Sequence, residues 1–197
     1  MKFLFDLGGV FFDWDPKHFY KDIFTNSDEM DFFLSEVCNN DWNLKQDAGR
    51  TIEEGEKSII SQFPLYREQI KMYYPNHRKM FRGTFSHSIN ILKKLKELNI
   101  ECYVLSNWSA ETFLGMEEQY PFLKLFDDMI ISGRENLVKP DPSIYLLAIK
   151  RFNLKANQTI FVDDKLENIK TAKKLDFKTI HLIKPNKISD EISKFLN

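Results

Sequence analysis

Phe3-Leu-Phe-Asp-Leu-Gly-Gly-Val10 is the stretch on which the fold reading turns. Phe3 to Phe5 form a short apolar run, as expected of a strand covered on both faces. Asp6 then stands where a parallel strand leaves its sheet, the edge at which open α/β sheets bind ligands. Gly8 and Gly9 allow a tight turn and a close approach of backbone to ligand. Taken alone, the stretch reads equally well as an acidic turn after an edge strand.

The chain beyond it has two characters. Asp15-Pro16 reads as a helix cap with proline in the first turn. From Pro16 to about Met80 the pattern is helical. Phe19, Ile23 and Phe24 share a face. Ser27 is placed to cap a second helix bearing Met30, Phe33, Leu34 and Val37. A third helix runs from Asp41 towards Gly49. Thr51 and Glu54 form a capping box for a fourth, which Pro64 stops. Tyr66 to Met72 begin another helix, broken near Pro75. This region reads as a bundle of about four helices. After Arg82, strands and helices alternate. Ser86 is expected to cap a helix carrying Ile89, Leu92, Leu95 and Leu98. Strands are expected at Glu101–Leu105, Met129–Ile131, Thr159–Val162 and Lys178–Ile183. Helices are expected at Ala110–Gln119, from Pro142, up to Leu175, and from Ile188. Such alternation implies a parallel sheet with right-handed crossovers. The expected fold is α/β, a Rossmann-like doubly wound parallel core (1–14 and 82–197) with an inserted helical-bundle cap (15–81).

The bulk numbers fit a soluble globular protein. The 197 residues suffice for one α/β domain with an insertion, and hydrophobic and charged residues make up 43% and 29%. A net charge of −1 with no long basic run argues against nucleic-acid or anionic-membrane partners. No apolar run approaches the ~20 residues of a membrane span. Lys2 is followed by only three apolar residues before Asp6, so no leader is expected. Cys38 and Cys102 share no metal-ligand spacing and read as buried free thiols. A cytoplasmic protein, monomeric or homodimeric, is the simplest expectation.

Three strand ends carry polar groups: Asp6, Ser106-Asn107 and Asp163-Asp164. Lys139 lies in a loop on the same expected edge. Carboxylates from separate strands can converge there on a divalent cation, and oxygen-only ligation suits Mg²⁺. A lysine and a hydroxyl nearby would position a phosphoryl group, and Asp6 is of the type that acts as nucleophile in phosphoryl transfer. Each group also has a structural reading: a helix cap for the acidic pair, a strand end for Ser106, a solvated charge for Lys139. Their matching topological positions favour a site.

The chain resembles the haloacid dehalogenase-like hydrolases. The resemblance rests on Phe5-Asp-Leu-Gly-Gly-Val10, Leu105-Ser-Asn-Trp-Ser-Ala-Glu-Thr-Phe113, Val138-Lys-Pro-Asp-Pro142 and Phe161-Val-Asp-Asp164 with Asn168. The insertion looks like that superfamily's four-helix cap. The closest likeness is to small phosphatases similar to bacterial sugar-1-phosphate phosphatases. The resemblance implies Mg²⁺-dependent hydrolysis of small phosphate monoesters. Asp6 becomes the nucleophile forming an aspartyl-phosphate, and Lys139 its stabiliser. Ser106 and the backbone after it, at Asn107, bind phosphoryl oxygens. Asp6, the Gly8 carbonyl, Asp163 and Asp164 hold the metal, with Asn168 orienting the acidic pair. Most family phosphatases carry a second aspartate two positions after the nucleophile as general acid and base. Gly8 occupies that position here, and Asp13 or a metal-bound water could substitute. The gap leaves two alternatives: a metal-independent 2-haloacid dehalogenase, against which the acidic pair argues, and a non-catalytic binding protein. In the cap, Trp42, Asp47, Gly49 and Arg50 lie in a segment that could face the nucleophile. Trp42 and Arg50 are the expected substrate contacts; Trp14 and Trp108 could wall the entrance.

Overall fold

Five parallel strands form the central sheet of this computed structural model, which describes residues 1–196. They are β1 (Lys2–Phe5), β4 (Cys102–Ser106), β5 (Asp128–Ile131), β6 (Thr159–Asp163) and β7 (Lys178–His181), in spatial order β5-β4-β1-β6-β7. The chain thus adopts the expected Rossmann-like α/β fold, with β1 in the middle.

The period of two in the strands builds the sandwich. Phe3, Phe5, Val104 and Val162 face one way, towards Leu92 and Leu95 of α6 (Ser86–Glu97) and Ile188 and Ile192 of α12 (Ile188–Leu196). Leu4, Leu105 and Phe161 face the other way. They pack on Ile144 and Tyr145 of α10 (Pro142–Arg151) and Ile169 of α11 (Leu166–Lys174).

The insertion holds α1 (Lys17–Tyr20), α2 (Ser27–Phe32, continued by a wider turn over Phe33–Val37), α3 (Asn40–Asp47), α4 (Ile52–Gln62) and α5 (Arg67–Met72). They gather round a separate core that includes Tyr20, Phe33, Trp42, Ile70 and Tyr73. The capping box of Thr51 and Glu54 is present in full. Ser27 is not the cap of α2: the Asn26 side chain accepts from the backbone N–H groups of Asp28 and Glu29 instead. Nor does the Ser86 side chain cap α6, which it opens as a helical residue after Phe85. The single helix expected over Ala110–Gln119 is two short ones, α7 (Ala110–Phe113) and α8 (Met116–Gln119). Gly115 separates them at a φ of 75°. Both cysteines are free and buried, and burial pushes the Cys102 thiol up to about 12.

One unforeseen element joins the two parts. β2 (Phe12–Trp14) and β3 (Phe81–Thr84), the segments by which the chain enters and leaves the insertion, pair as an antiparallel ribbon. Phe12 is fully buried beneath it. Its ring meets those of Phe81, Trp108 and Tyr120 at 5.5, 5.7 and 4.9 Å. Large-to-small replacement of a buried aromatic leaves a cavity. Phe12→Ala is therefore expected to lower unfolding free energy by about 3–5 kcal/mol in urea titration; a loss below about 1 kcal/mol would contradict this packing.

Candidate functional site

Asp6 begins where β1 runs out of partners, its backbone N–H donating to the Val162 carbonyl at 2.9 Å. The chain then turns sharply: the Leu7 carbonyl accepts from the N–H groups of both Phe11 and Phe12. Gly9 makes the turn possible. It has a φ of +67°, and a Cβ there would stand 2.5 Å from Asp164 Oδ2. Gly8 differs. A Cβ at Gly8 would meet only Asp6 Oδ2, at 4.0 Å, so space for a side chain exists and the sequence leaves it empty.

Lys139 lies at the centre. Its ammonium is buried, 2.9 Å from Asp6 Oδ1 and 2.7 Å from Asp163 Oδ2. Burial alone would lower its pKa, but the Asp163 and Asp6 charges outweigh that and hold it above its ordinary value. Asn107, at the end of β4, clamps the same residue. Its Oδ1 accepts from the Lys139 N–H and its Nδ2 donates to the Lys139 carbonyl, both at 2.8 Å. Asp163 is fully enclosed. Asn168 Nδ2 donates to both its oxygens at 3.0 Å, and the Lys165 N–H donates to Oδ1.

The carboxylates of Asp6, Asp163 and Asp164 place oxygens within 4.8 Å of one another. One ammonium does not balance three carboxylates in a poorly solvated site. Burial, then the Asp6 and Asp163 charges, push Asp164 up to about 7. Asp163 is also raised, by burial above all, with the Lys139 charge opposing. Asp164 Oδ1 is buried without a hydrogen-bond partner among the described residues. An all-oxygen, over-acidic cluster with one unpartnered oxygen fits a hard divalent cation.

A cavity of about 310 Å³ opens over this cluster. Its floor includes Asp6, Gly8, Lys139 and Asp164, and Phe12, Trp14, Phe81 and Trp108 form an aromatic wall. The Trp108 indole N–H donates to Thr112 Oγ1, whereas Trp14 Nε1 and His77 Nδ1 are buried without partners among the described residues. Burial pushes His77 down to about 3, so its ring is neutral near pH 7. The roof is one face of α3: Asn40, Asn43, Leu44 and Asp47. Three bonds hold the roof side of the insertion on the core. Ser132 Oγ donates to the Asp47 carbonyl at 2.6 Å, the Ile52 N–H to Glu111 at 2.8 Å, and Arg78 to the Leu114 carbonyl at 2.6 Å.

The structure brings Asp6, Gly8, Asn107, Lys139 and Asp164 to one cavity, with Asp163 directly behind Lys139. Ser106 is buried at the end of β4, one residue behind Asn107. Two expected substrate contacts are corrected. Trp42 is buried in the insertion, its indole N–H donating to the Gly55 carbonyl. Arg50 folds back on α3, donating to Gln46 Oε1 and the Trp42 carbonyl. Neither lines the cavity. Asp13 does not line it either; its carboxylate lies 3.2 Å from His18 Nε2. Of the roof residues Asp47 was expected in a segment facing the nucleophile, while Asn40, Asn43 and Leu44 were missed although a signal existed: the four follow the i, i+3, i+4, i+7 spacing of one helix face.

Residues 36–182 match the family described as haloacid dehalogenase-like hydrolase, about three quarters of the chain. The chain belongs to the haloacid dehalogenase-like hydrolases. Over 180 residues it is 28% identical to the sesquiterpene phosphatase astK of Aspergillus oryzae, covering 91% of this chain and 88% of that protein. A predicted HAD-like hydrolase from Porphyromonas gingivalis has the same fold at a TM-score of 0.73 and 22% identity, over 100% of this chain and 97% of that one. A HAD family enzyme from Bacteroides thetaiotaomicron, in complex with magnesium and inorganic phosphate, aligns at 0.67 and 23% identity over 91% and 92%. No helix among the described residues is long and apolar enough to cross a membrane.

The neutral, buried His77 gives a pH prediction. The unfolded chain takes up its proton near the ordinary value of 6.5, while the folded protein resists until about 3. Stability is therefore full above pH 6.5 and falls as pH drops through that window. His77→Phe should lose about 2 kcal/mol less than wild type between pH 7.5 and 5, read from urea unfolding at each pH. Parallel pH profiles would refute a buried neutral imidazole.

Proposed function

We propose that this hydrolase cleaves small phosphate monoesters with Mg²⁺ as cofactor, through an aspartyl-phosphate on Asp6. The observation that carries the reading is the Lys139 ammonium bridging Asp6 and Asp163 on the cavity floor, at 2.9 and 2.7 Å. Lys139 pairs with the Asp6 carboxylate and aims it, as a nucleophile requires. It also offers positive charge where a transferring phosphoryl group gathers negative charge. The backbone at Asn107, which lines the cavity, would hold the remaining phosphoryl oxygens, with Ser106 buried behind it. Asp6, Asp164 and the Gly8 carbonyl would hold the cation. Asp163, already saturated with hydrogen bonds, anchors Lys139 from behind. Bound there, Mg²⁺ would offset the surplus carboxylate charge and screen the approach of a phosphate dianion. The magnesium and phosphate in the Bacteroides enzyme and the phosphatase name of the Aspergillus relative support this reading.

The segment 15–81 acts as the cap that encloses the ester, and closure excludes water. Sugar phosphates are candidate substrates, since a sugar presents a C–H face to an aromatic wall of this kind. The two buried free thiols support a reducing, cytoplasmic location. Metal-free dehalogenation is disfavoured, because it gives no role to the over-acidic pair Asp163-Asp164.

A panel of sugar phosphates, other phosphate monoesters and 2-haloacids, with and without Mg²⁺, tests the proposal. Phosphate release should require Mg²⁺, disappear with EDTA and return on adding the ion. Asp6→Asn should fall to background with an unchanged far-ultraviolet circular dichroism spectrum. Halide release that survives EDTA would sink the reading.

A further inference from the structure

We propose that Asp47, carried by the cap, is the general acid that protonates the leaving oxygen and then the base that activates water, standing in for the carboxylate absent at Gly8. The inference rests on the phosphatase reading above and names a catalytic residue within it.

The floor of the cavity lacks an acid. Asp6 is the nucleophile and Asp164 a cation ligand. Lys139 is locked between two carboxylates. His77 is neutral near pH 7, with no proton to give beyond its tautomeric N–H. Asp13 is turned away towards His18. The space beside Gly8 holds no side chain.

Asp47 enters from the opposite side. It is the last residue of α3 and lines the cavity that Asp6 and Lys139 floor. Its position is set twice. Asn43 Nδ2 donates to its Oδ2 at 3.2 Å, and Ser132 Oγ of the core donates to its carbonyl at 2.6 Å. The charged and titratable groups sharing the cavity are Asp6 from β1, Lys139, Asp164 and Lys165 from the core loops, and His77 from the insertion. Protein packs densely round the carboxyl although it borders the cavity. Burial pushes it up to about 7; the Lys165 charge and the Ser109 backbone N–H oppose this, and the Asp6 charge adds to it. An acid–base group works best when its pKa lies near the working pH.

In the first step an Asp6 oxygen bonds to phosphorus as the ester P–O bond breaks. The Asp47 proton moves to the departing oxygen, giving an alcohol, the aspartyl-phosphate and an Asp47 carboxylate. In the second step that carboxylate takes a proton from water as the water oxygen attacks phosphorus. The Asp6–phosphorus bond breaks, and phosphate leaves with Asp47 protonated again. Because Asp47 rides on the cap, the acid is in place only when the cap is closed, which couples proton transfer to exclusion of bulk water.

Asp47→Asn keeps the acceptor for Asn43 and removes the proton. Nitrophenyl phosphate needs no proton on its leaving group, whereas an alkyl phosphate does. In rapid-mixing experiments with the Mg²⁺-loaded enzyme, Asp47→Asn should retain a nitrophenolate burst near one per site. Its first turnover of the alkyl phosphate should fall about 10²–10⁴-fold. Steady-state hydrolysis of both esters should fall, since water activation is lost. In a Gly8→Asp background the same Asp47→Asn change should cost at least tenfold less, because the supplied carboxylate takes over. Equal loss of the first turnover for both esters, no loss for either, or no relief from Gly8→Asp would overturn the inference while leaving the phosphatase reading intact. Absence of Asp6-dependent phosphate release from wild type would overturn both.

Discussion

The ion triad of Asp6, Lys139 and Asp163 is the constraint to which the rest of the site answers. A buried ammonium is costly to desolvate, and only close, well-hydrogen-bonded carboxylates offset that cost. Here two of them lie within 3 Å. The three residues come from the end of β1, the loop between β5 and α10, and the end of β6. Asn107 adds the end of β4 by bonding both backbone polar groups of Lys139. The triad therefore ties four loops along one edge of the sheet, and a shift in any strand would leave a buried charge unpaired. Beside it, Asp164 Oδ1 has no hydrogen-bond partner among the described residues, as fits a place for a cation.

The insertion depends on the same edge in a different way. Its own apolar core is separate, with the β2–β3 ribbon as its attachment. What it offers the site is one face of α3, held to the core by the Ser132 hydrogen bond to the Asp47 carbonyl. Under the proposed mechanism, chemistry placed on that face acts only with the cap closed, and the glycine at position 8 makes that placement consequential.

Much of this was legible along the chain because the signals are local. Asp6, Ser106-Asn107 and Asp163-Asp164 each follow an apolar strand, and Lys139 precedes a proline turn and a capped helix. Trp42 and Arg50 misled because their residue types suggested binding, while the helical period puts Trp42 on the inner face of α3 and Arg50, beyond the end of that helix, folds back onto Gln46. The same period collects Asn40, Asn43, Leu44 and Asp47 on the cavity side. The unsatisfied nitrogens of Trp14 and His77 had no local signature at all. They arise where the ribbon, the cap and the β4 loop meet.

By itself the sequence determined the five strands of the central sheet and most of the helices, since periods of 2 and 3.6 are written in neighbouring residues. With the parallel-crossover rule, it also determined that the acidic and basic strand ends share an edge. Only the tertiary structure decided the state and use of those groups. That the Lys139 ammonium bridges two carboxylates, that one Asp164 oxygen has no partner among the described residues, and that Asp47 lines the cavity floored by Asp6 all depend on distance and solvation between residues far apart in the chain. The physical reason is that electrostatic energy is set by burial and separation in space, and neither quantity is encoded in any short stretch.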